Sequence, residues 1–241
     1  MVILHVVLSG SLIAQQLQLH FEPRHELDAT RYTRDFVSLF FQYFKPPKED
    51  SSFVRVGSTL IQTQCDFTGV RGNIGKLYVQ CSQTVKFWAP NIYLDLEYSG
   101  GLGIAEPGGI GFYITNTYSV GWASALVWQG TVMNLSAAFA YTAFKVPSRD
   151  FRCSVYWWRG LFNYAAEFSG DIQCWTLNKN LGSDQATPTG GKWFCVFAEP
   201  QFWYSLGGGL SLGTKINVYY NVVTFDQTLQ IYPTAAVRYK F

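Results

Sequence analysis

The sequence predicts an all-β chain folded as a transmembrane, antiparallel, up-and-down β-barrel of about 12 strands. Three observations lead there. The segment 229–241 alternates strictly, with Val237, Tyr239 and Phe241 on one face of an extended strand and Arg238 and Lys240 on the other. A strand with one apolar and one charged face suits a wall between lipid and a wet lumen, and its aromatic end suits a closing barrel strand. Aromatic residues make up 17% of the chain and charged residues 14%, whereas soluble domains carry roughly 25% charge. Mean hydropathy is only +0.04, and no run approaches the ~20 apolar residues of a membrane-spanning helix.

The elements follow in chain order. Residues 1–14 read as an apolar signal segment, although no Lys or Arg stands near Met1 and Leu12 occupies the position three before a cut after Ala14. A first strand is the other reading of this segment; the barrel is expected to occupy 15–241. Leu17, Leu19 and Phe21 alternate with Gln18, His20 and Glu22. Further strands are expected at 37–44, 53–62, 76–87 and 91–98, the last ended by Gly100 and Gly101. Others follow near 113–126, 131–144, 150–158, 164–175, 192–204 and 210–221, and the closing strand begins near Leu229. Lengths of ~9–13 residues suit tilted membrane strands. Segments 65–75 and 184–191 read as outer loops. Trp88, Trp157, Trp158, Trp175, Trp193 and Trp203 fall near strand ends, where rings anchor at membrane interfaces. A soluble sandwich or lipocalin-like barrel is the competing fold; it accounts less well for acids and bases placed mid-strand opposite strongly apolar faces.

Several chemistries lose support at this level. The formal net charge of +2 is too near zero to argue for nucleic acid. Cys65, Cys81, Cys153, Cys174 and Cys195 show no metal or redox spacing, and a Cys174–Cys195 disulfide stays open beside the simpler reading as small strand residues. His5, His20 and His25 join no nucleophile motif, so an enzyme is not expected. Segments 100–103 and 207–210 read as glycine turns and precede no helix, so phosphate cradling is not implied. No cofactor is expected.

If apolar faces meet lipid, the polar faces line a lumen. The alternation places Glu22, Asp95, Glu97, Glu167, Asp171 and Glu199 there, with Lys86, Arg152, Lys215, Arg238 and Lys240 as the bases and Gln42, Gln173, Gln201 and Asn217 as neutral partners. The same faces carry Phe40, Phe44, Tyr78, Tyr93, Tyr156, Trp158, Trp203 and Tyr219. Each charge taken singly reads first as half of a structural ion pair; the set reads as the lining of a narrow pore. Rings on that face either fill space or stack on a flat solute.

Five segments, 18–20, 86–88, 96–102, 198–204 and 233–241, resemble a family of outer-membrane barrels of unassigned function, which is in turn similar to the nucleoside-specific channel-forming Tsx family. The Glu97-Tyr-Ser-Gly-Gly and Glu199-Pro-Gln-Phe-Trp segments carry the likeness most specifically. The resemblance implies a monomeric twelve-stranded barrel in a Gram-negative outer membrane, with a narrow pore for nucleosides or similar solutes. Glu97 and Glu199 are inward both by alternation and by this likeness.

The expectation is therefore a passive outer-membrane channel for small polar solutes, nucleosides among them. Its pore would be lined by Glu22, Gln42, Lys86, Tyr93, Asp95, Glu97, Arg152, Glu167, Asp171, Glu199, Gln201, Lys215 and Arg238. The alternative is a structural barrel with a closed lumen, a subunit of a larger envelope complex with a protein partner.

Overall fold

The computed structural model describes residues 14–46, 54–69, 71–88, 91–105, 109–144, 146–180 and 190–241. Residues 1–13, which carry nearly all of the expected signal segment, lie outside them, as do 184–189 of the expected loop. The strands are β1 (Ala14–Glu22), β2 (Phe36–Lys45), β3 (Arg55–Asp66), β4 (Lys76–Lys86), β5 (Tyr93–Ala105), β6 (Ile110–Trp128) and β7 (Thr131–Thr142). They continue as β8 (Ser148–Leu161), β9 (Ala166–Asn178), β10 (Lys192–Ala198), β11 (Gln201–Gly207), β12 (Leu210–Tyr220), β13 (Leu229–Pro233) and β14 (Ala235–Lys240). One helical turn, α1 (Arg24–Leu27), follows β1.

Among the described residues, fourteen segments make twelve walls. β10 and β11 both pair with β9 and form one wall broken at Pro200, which has no N–H to give the ladder. β13 and β14 both pair with β12 and form one wall broken between Pro233 and Ala235. Each wall pairs with its sequence neighbour, and β14 pairs with β1 from Gln16↔Lys240 to Phe21↔Ala235. The sheet therefore closes with no edge, as a barrel in hydrocarbon requires. No described helix is long and apolar enough to cross a membrane; the strands do the crossing.

Outside, the alternation leaves a continuous apolar belt that includes Leu19, Val120, Trp122, Phe139, Phe151 and Val237, with Trp122 53% exposed. Inside, Gln18, His20, Glu22, Ser38, Lys215 and Asn217 are buried to 1% exposure or less. An apolar exterior around a polar core inverts a soluble protein and matches an outer-membrane barrel. The protein resides in the outer membrane. The end holding Ala14 and Phe241 is called proximal here. It carries tight turns at Gln129-Gly130, with φ of 47° and 79°, and at Gly208-Gly209, with φ of 58° and 83°. Short turns on this side mark it as periplasmic; the opposite, distal end faces outward.

Several expectations need correction. Gly100 and Gly101 do not end their strand: β5 runs on to Ala105, with a register shift between Gly101 and Leu102. A Cβ at Gly101 would stand 3.0 Å from both Ile114 Cβ and the Leu77 carbonyl oxygen, so glycine here serves close packing within the wall. Cys65 and Asp66 belong to β3 rather than to a loop. The third strand begins at Arg55, while Phe53 lies outside the described residues. All five cysteines are free. The Cys174–Cys195 bridge left open by the sequence fails on parity: Cys195 is inward and fully buried, while Cys174 shares the outward face of Ile172.

Gly213 sits in register with Trp203, and a Cβ there would run into the Phe202 carbonyl oxygen and the Trp203 ring. Gly213→Val is expected to destabilise the barrel by about 2 kcal/mol. Urea unfolding in detergent micelles would show it as a lower midpoint at an unchanged slope.

Candidate pore and vestibule

Alternation along each wall turns the predicted ionisable groups into one lumen, where most find partners. On the walls flanking the β14–β1 closure, Arg24 Nε donates to Glu22 Oε2 at 2.9 Å, and Lys215 Nζ lies 2.7 Å from Glu199 Oε1. Arg238 and Lys240 both reach Glu167, each at 2.6 Å. Asn217 Nδ2 donates to Glu22 at 3.2 Å. The Arg238 guanidinium lies 4.5 Å from the Trp203 ring centroid, and Trp203 Nε1 donates to Gln201 at 3.0 Å. Trp203 is 1% exposed. Pairing offsets part of the desolvation that an isolated buried charge would cost.

A second network spans the opposite wall. Arg152 pairs with Glu97 at 2.7 Å and donates to Gln173, whose own Nε2 donates to Asp171 at 2.8 Å. Gln80 Nε2 reaches Glu97 at 3.0 Å and the Tyr156 hydroxyl at 3.1 Å. Asp95 accepts from the Ser82 hydroxyl at 3.1 Å. Lys86 is held over the Tyr93 ring at 5.1 Å, and Gln42 accepts from Gln16 at 2.7 Å. All thirteen predicted lining residues thus lie on inward positions, but they are spread along the barrel in several clusters rather than gathered at one site.

Bordered by members of both networks and reaching toward the distal end lies a cavity of about 690 Å³. Phe40, Tyr78, Trp175, Phe197 and Tyr219 supply rings to its walls, and Asp66, Lys76, Asp150, Arg152, Asp171 and Glu199 supply charge. Phe197 stacks on Tyr219 with centroids 5.4 Å apart. Val222, Val223 and Phe225, from the loop between β12 and β13, border the cavity. One ring expected as an interface anchor is lumenal instead: Trp175 lines the cavity with Arg152 6.0 Å from its ring centroid, while Trp203, which alternation also places on an inner face, is buried inside. Their strand parity, rather than their nearness to a strand end, decides which face they occupy.

Sequence reading missed Arg24, Asp66, Lys76 and Asp150. Lys76 and Asp150 share parity with Tyr78 and Arg152, so the same alternation rule would have found them. Asp66 was lost with the misplaced loop. Arg24 gives no alternating signal, because it sits on α1 and folds back to be ringed by Tyr32, Phe36, Tyr219 and Tyr232 at 5.1–5.3 Å.

Beyond the strands, Arg31 ties the loop after β1 to the loop after β12. It bonds Asp28 and Asp226, each at 2.8 Å. Hydrogen bonds from the Thr30 hydroxyl and Arg31 hold the Asp28 carboxyl down to about 2, and Arg31 followed by Thr224 holds Asp226 well below the usual carboxylate range.

A family model described as Domain of unknown function (DUF5020) matches residues 14–241. The chain belongs to that family. No curated protein matches it. Similar solved structures include the KdgM porin, 6% identical over 95% of this chain and 99% of that one, with a TM-score of 0.48. The NanC porin is 7% identical over 95% and 98%, with a TM-score of 0.47. LpxR from Salmonella typhimurium is 11% identical over 94% and 100%, with a TM-score of 0.43. Likeness at these identities concerns fold alone.

Two outcomes are expected. Lys215→Met leaves the Glu199 carboxylate buried without its cation and costs about 3–5 kcal/mol, while adding Glu199→Leu recovers most of the loss; urea unfolding of the single and double variants measures both. The loop tie responds to acid. Both carboxyls titrate lower when folded than the unfolded value near ~3.9, so their contribution is complete above that value and is lost as pH falls toward about 2. Hydrogen exchange in residues 28–35 and 221–228 should match at pH 7 and 5, after correction for intrinsic rates, and speed up below about pH 3.

Proposed function

We propose that this barrel is a passive channel for small polar solutes, with nucleosides as the leading class. The observation that carries the reading is the distal cavity, whose volume falls within the ~300–1,000 Å³ usual for small-ligand sites. Its walls combine flat rings with carboxylate, amide, phenol and cationic groups, which suits a solute with one planar and one hydrogen-bonding part. Lumenal polar groups would replace the solute's hydration shell as it enters. A twelve-walled lumen is narrower than a sixteen-stranded porin channel, which favours small solutes. No energy source is required.

A second reading, a structural barrel with a closed lumen inside a larger envelope complex, is favoured by the packing of Trp203 and Lys215, each 1% exposed. Conductance separates the two. The refolded protein in a planar bilayer should give small, stable steps that nucleosides block at micromolar to millimolar levels. Steps indifferent to nucleosides would keep the channel and remove that solute; a folded barrel with no current would favour the structural role. Removing one stacking face by Trp175→Ala should weaken nucleoside block about tenfold, as loss of one base–ring contact does.

A further inference from the structure

The lumen has two unlike sides. Flanking the β14–β1 closure, Glu22, Glu199 and Glu167 all meet cations, and Trp203, Lys215 and His20 fill the space between. The inward face of β4 differs. It presents Lys76, Tyr78, Gln80, Ser82, Thr84 and Lys86 in succession: ammonium, phenol, amide, two hydroxyls, ammonium. Among the described residues neither lysine has a carboxylate at ion-pair distance, and nor does Asp95, across from Thr84, have a cation. Lys76, Tyr78 and Gln80 already line the distal cavity. Below them β6 and β7 offer mostly small inward groups, Ser119, Gly121, Ala123, Ser136 and Ala138 among them, with Asn134 nearer the proximal end. The Ser119 hydroxyl is enclosed, the residue being 8% exposed, and among the described residues nothing bonds to it. An orphaned buried hydroxyl beside a row of hydrogen-bonding groups marks a place where a polar guest or water belongs.

We propose that solutes cross the closed half of the lumen along the β4–β6 wall, handed from Gln80 past Ser82, Thr84 and Ser119 to Asp95 and Lys86, and that this row selects small hydroxyl-rich solutes. The Glu167–Arg238–Lys240 cluster on the opposite wall holds the barrel shut and takes no part in passage. The inference rests on the channel reading above and gives it a route. Each hydroxyl of a sugar-like solute can exchange water for a wall group of matching polarity at successive positions. Lys86 and Asp95 set the charge preference near the proximal exit.

The test uses the full barrel in a planar bilayer under a KCl gradient, with folding checked by heat-dependent migration on gels. Lys86→Gln should shift selectivity toward K⁺ and Asp95→Asn toward Cl⁻, each by roughly threefold in permeability ratio. Ser119→Phe, which changes no charge, should cut conductance several-fold. In proteoliposomes swelling in ribose, the Ser82→Ala/Thr84→Val double variant should slow uptake several-fold. Conductance with unchanged selectivity in Lys86→Gln and Asp95→Asn, and undiminished in Ser119→Phe, would overturn the route and leave the channel standing. Unaltered ribose swelling in the double variant would overturn the solute class. A folded wild-type barrel that carries no current would overturn the channel reading and the route with it.

Discussion

The β1–β14 ladder is the interaction on which the rest of this structure depends. Six register pairs join the first wall to the last. Without them two strand edges would stand in hydrocarbon, each carrying N–H and C=O groups with no partner, and each such group costs several kcal/mol there. Closure converts an unstable ribbon into a wall. It also fixes which side of every strand is wet, because side chains alternate strictly once both neighbours of a strand are set. The polar lumen and the apolar belt are consequences of that single constraint.

Closure into only twelve walls then forces opposite charges together. Glu167 is shared by Arg238 and Lys240, Glu199 holds Lys215, and Glu22 holds Arg24. The Glu167 and Glu199 contacts join separate walls on the side of the closing ladder, so they reinforce the place where an up-and-down barrel would otherwise open. The same charges, exposed on a soluble surface, would be screened and contribute little; enclosed in the lumen, they need each other. The cavity is confined to the distal half because large side chains from β1, β11 and β12 occupy the proximal half near the closure.

Much of this was legible in the sequence. Period-two alternation gave the class, the twelve walls and the inward placement of Glu97, Glu199 and Lys215, because a strand's two faces meet unlike solvents. Four kinds of feature escaped. Breaks at Pro200 and Pro233 leave alternation intact, so the split walls read as single strands. The glycines at 100–101 looked like a turn because their role is close packing against Leu77 and Ile114, a long-range contact that no local pattern carries. Trp175 looked like an interface anchor by position, whereas its parity makes it lumenal. Arg24 stands off the strand altogether, and the ring cage around it together with its pair to Glu22 explains its burial. What pairs with what depends on distances across the barrel, which register and tilt decide together.

The central claim is that one face of each wall meets lipid and the other a polar interior. A spin-label scan of residues 117–123 on β6, in the refolded barrel in lipid vesicles, tests it most directly. The account predicts high collision rates with oxygen for labels at Tyr118, Val120 and Trp122, and low rates at Thr117, Ser119 and Ala123. Uniform accessibility along the segment, or the opposite phase, would contradict it.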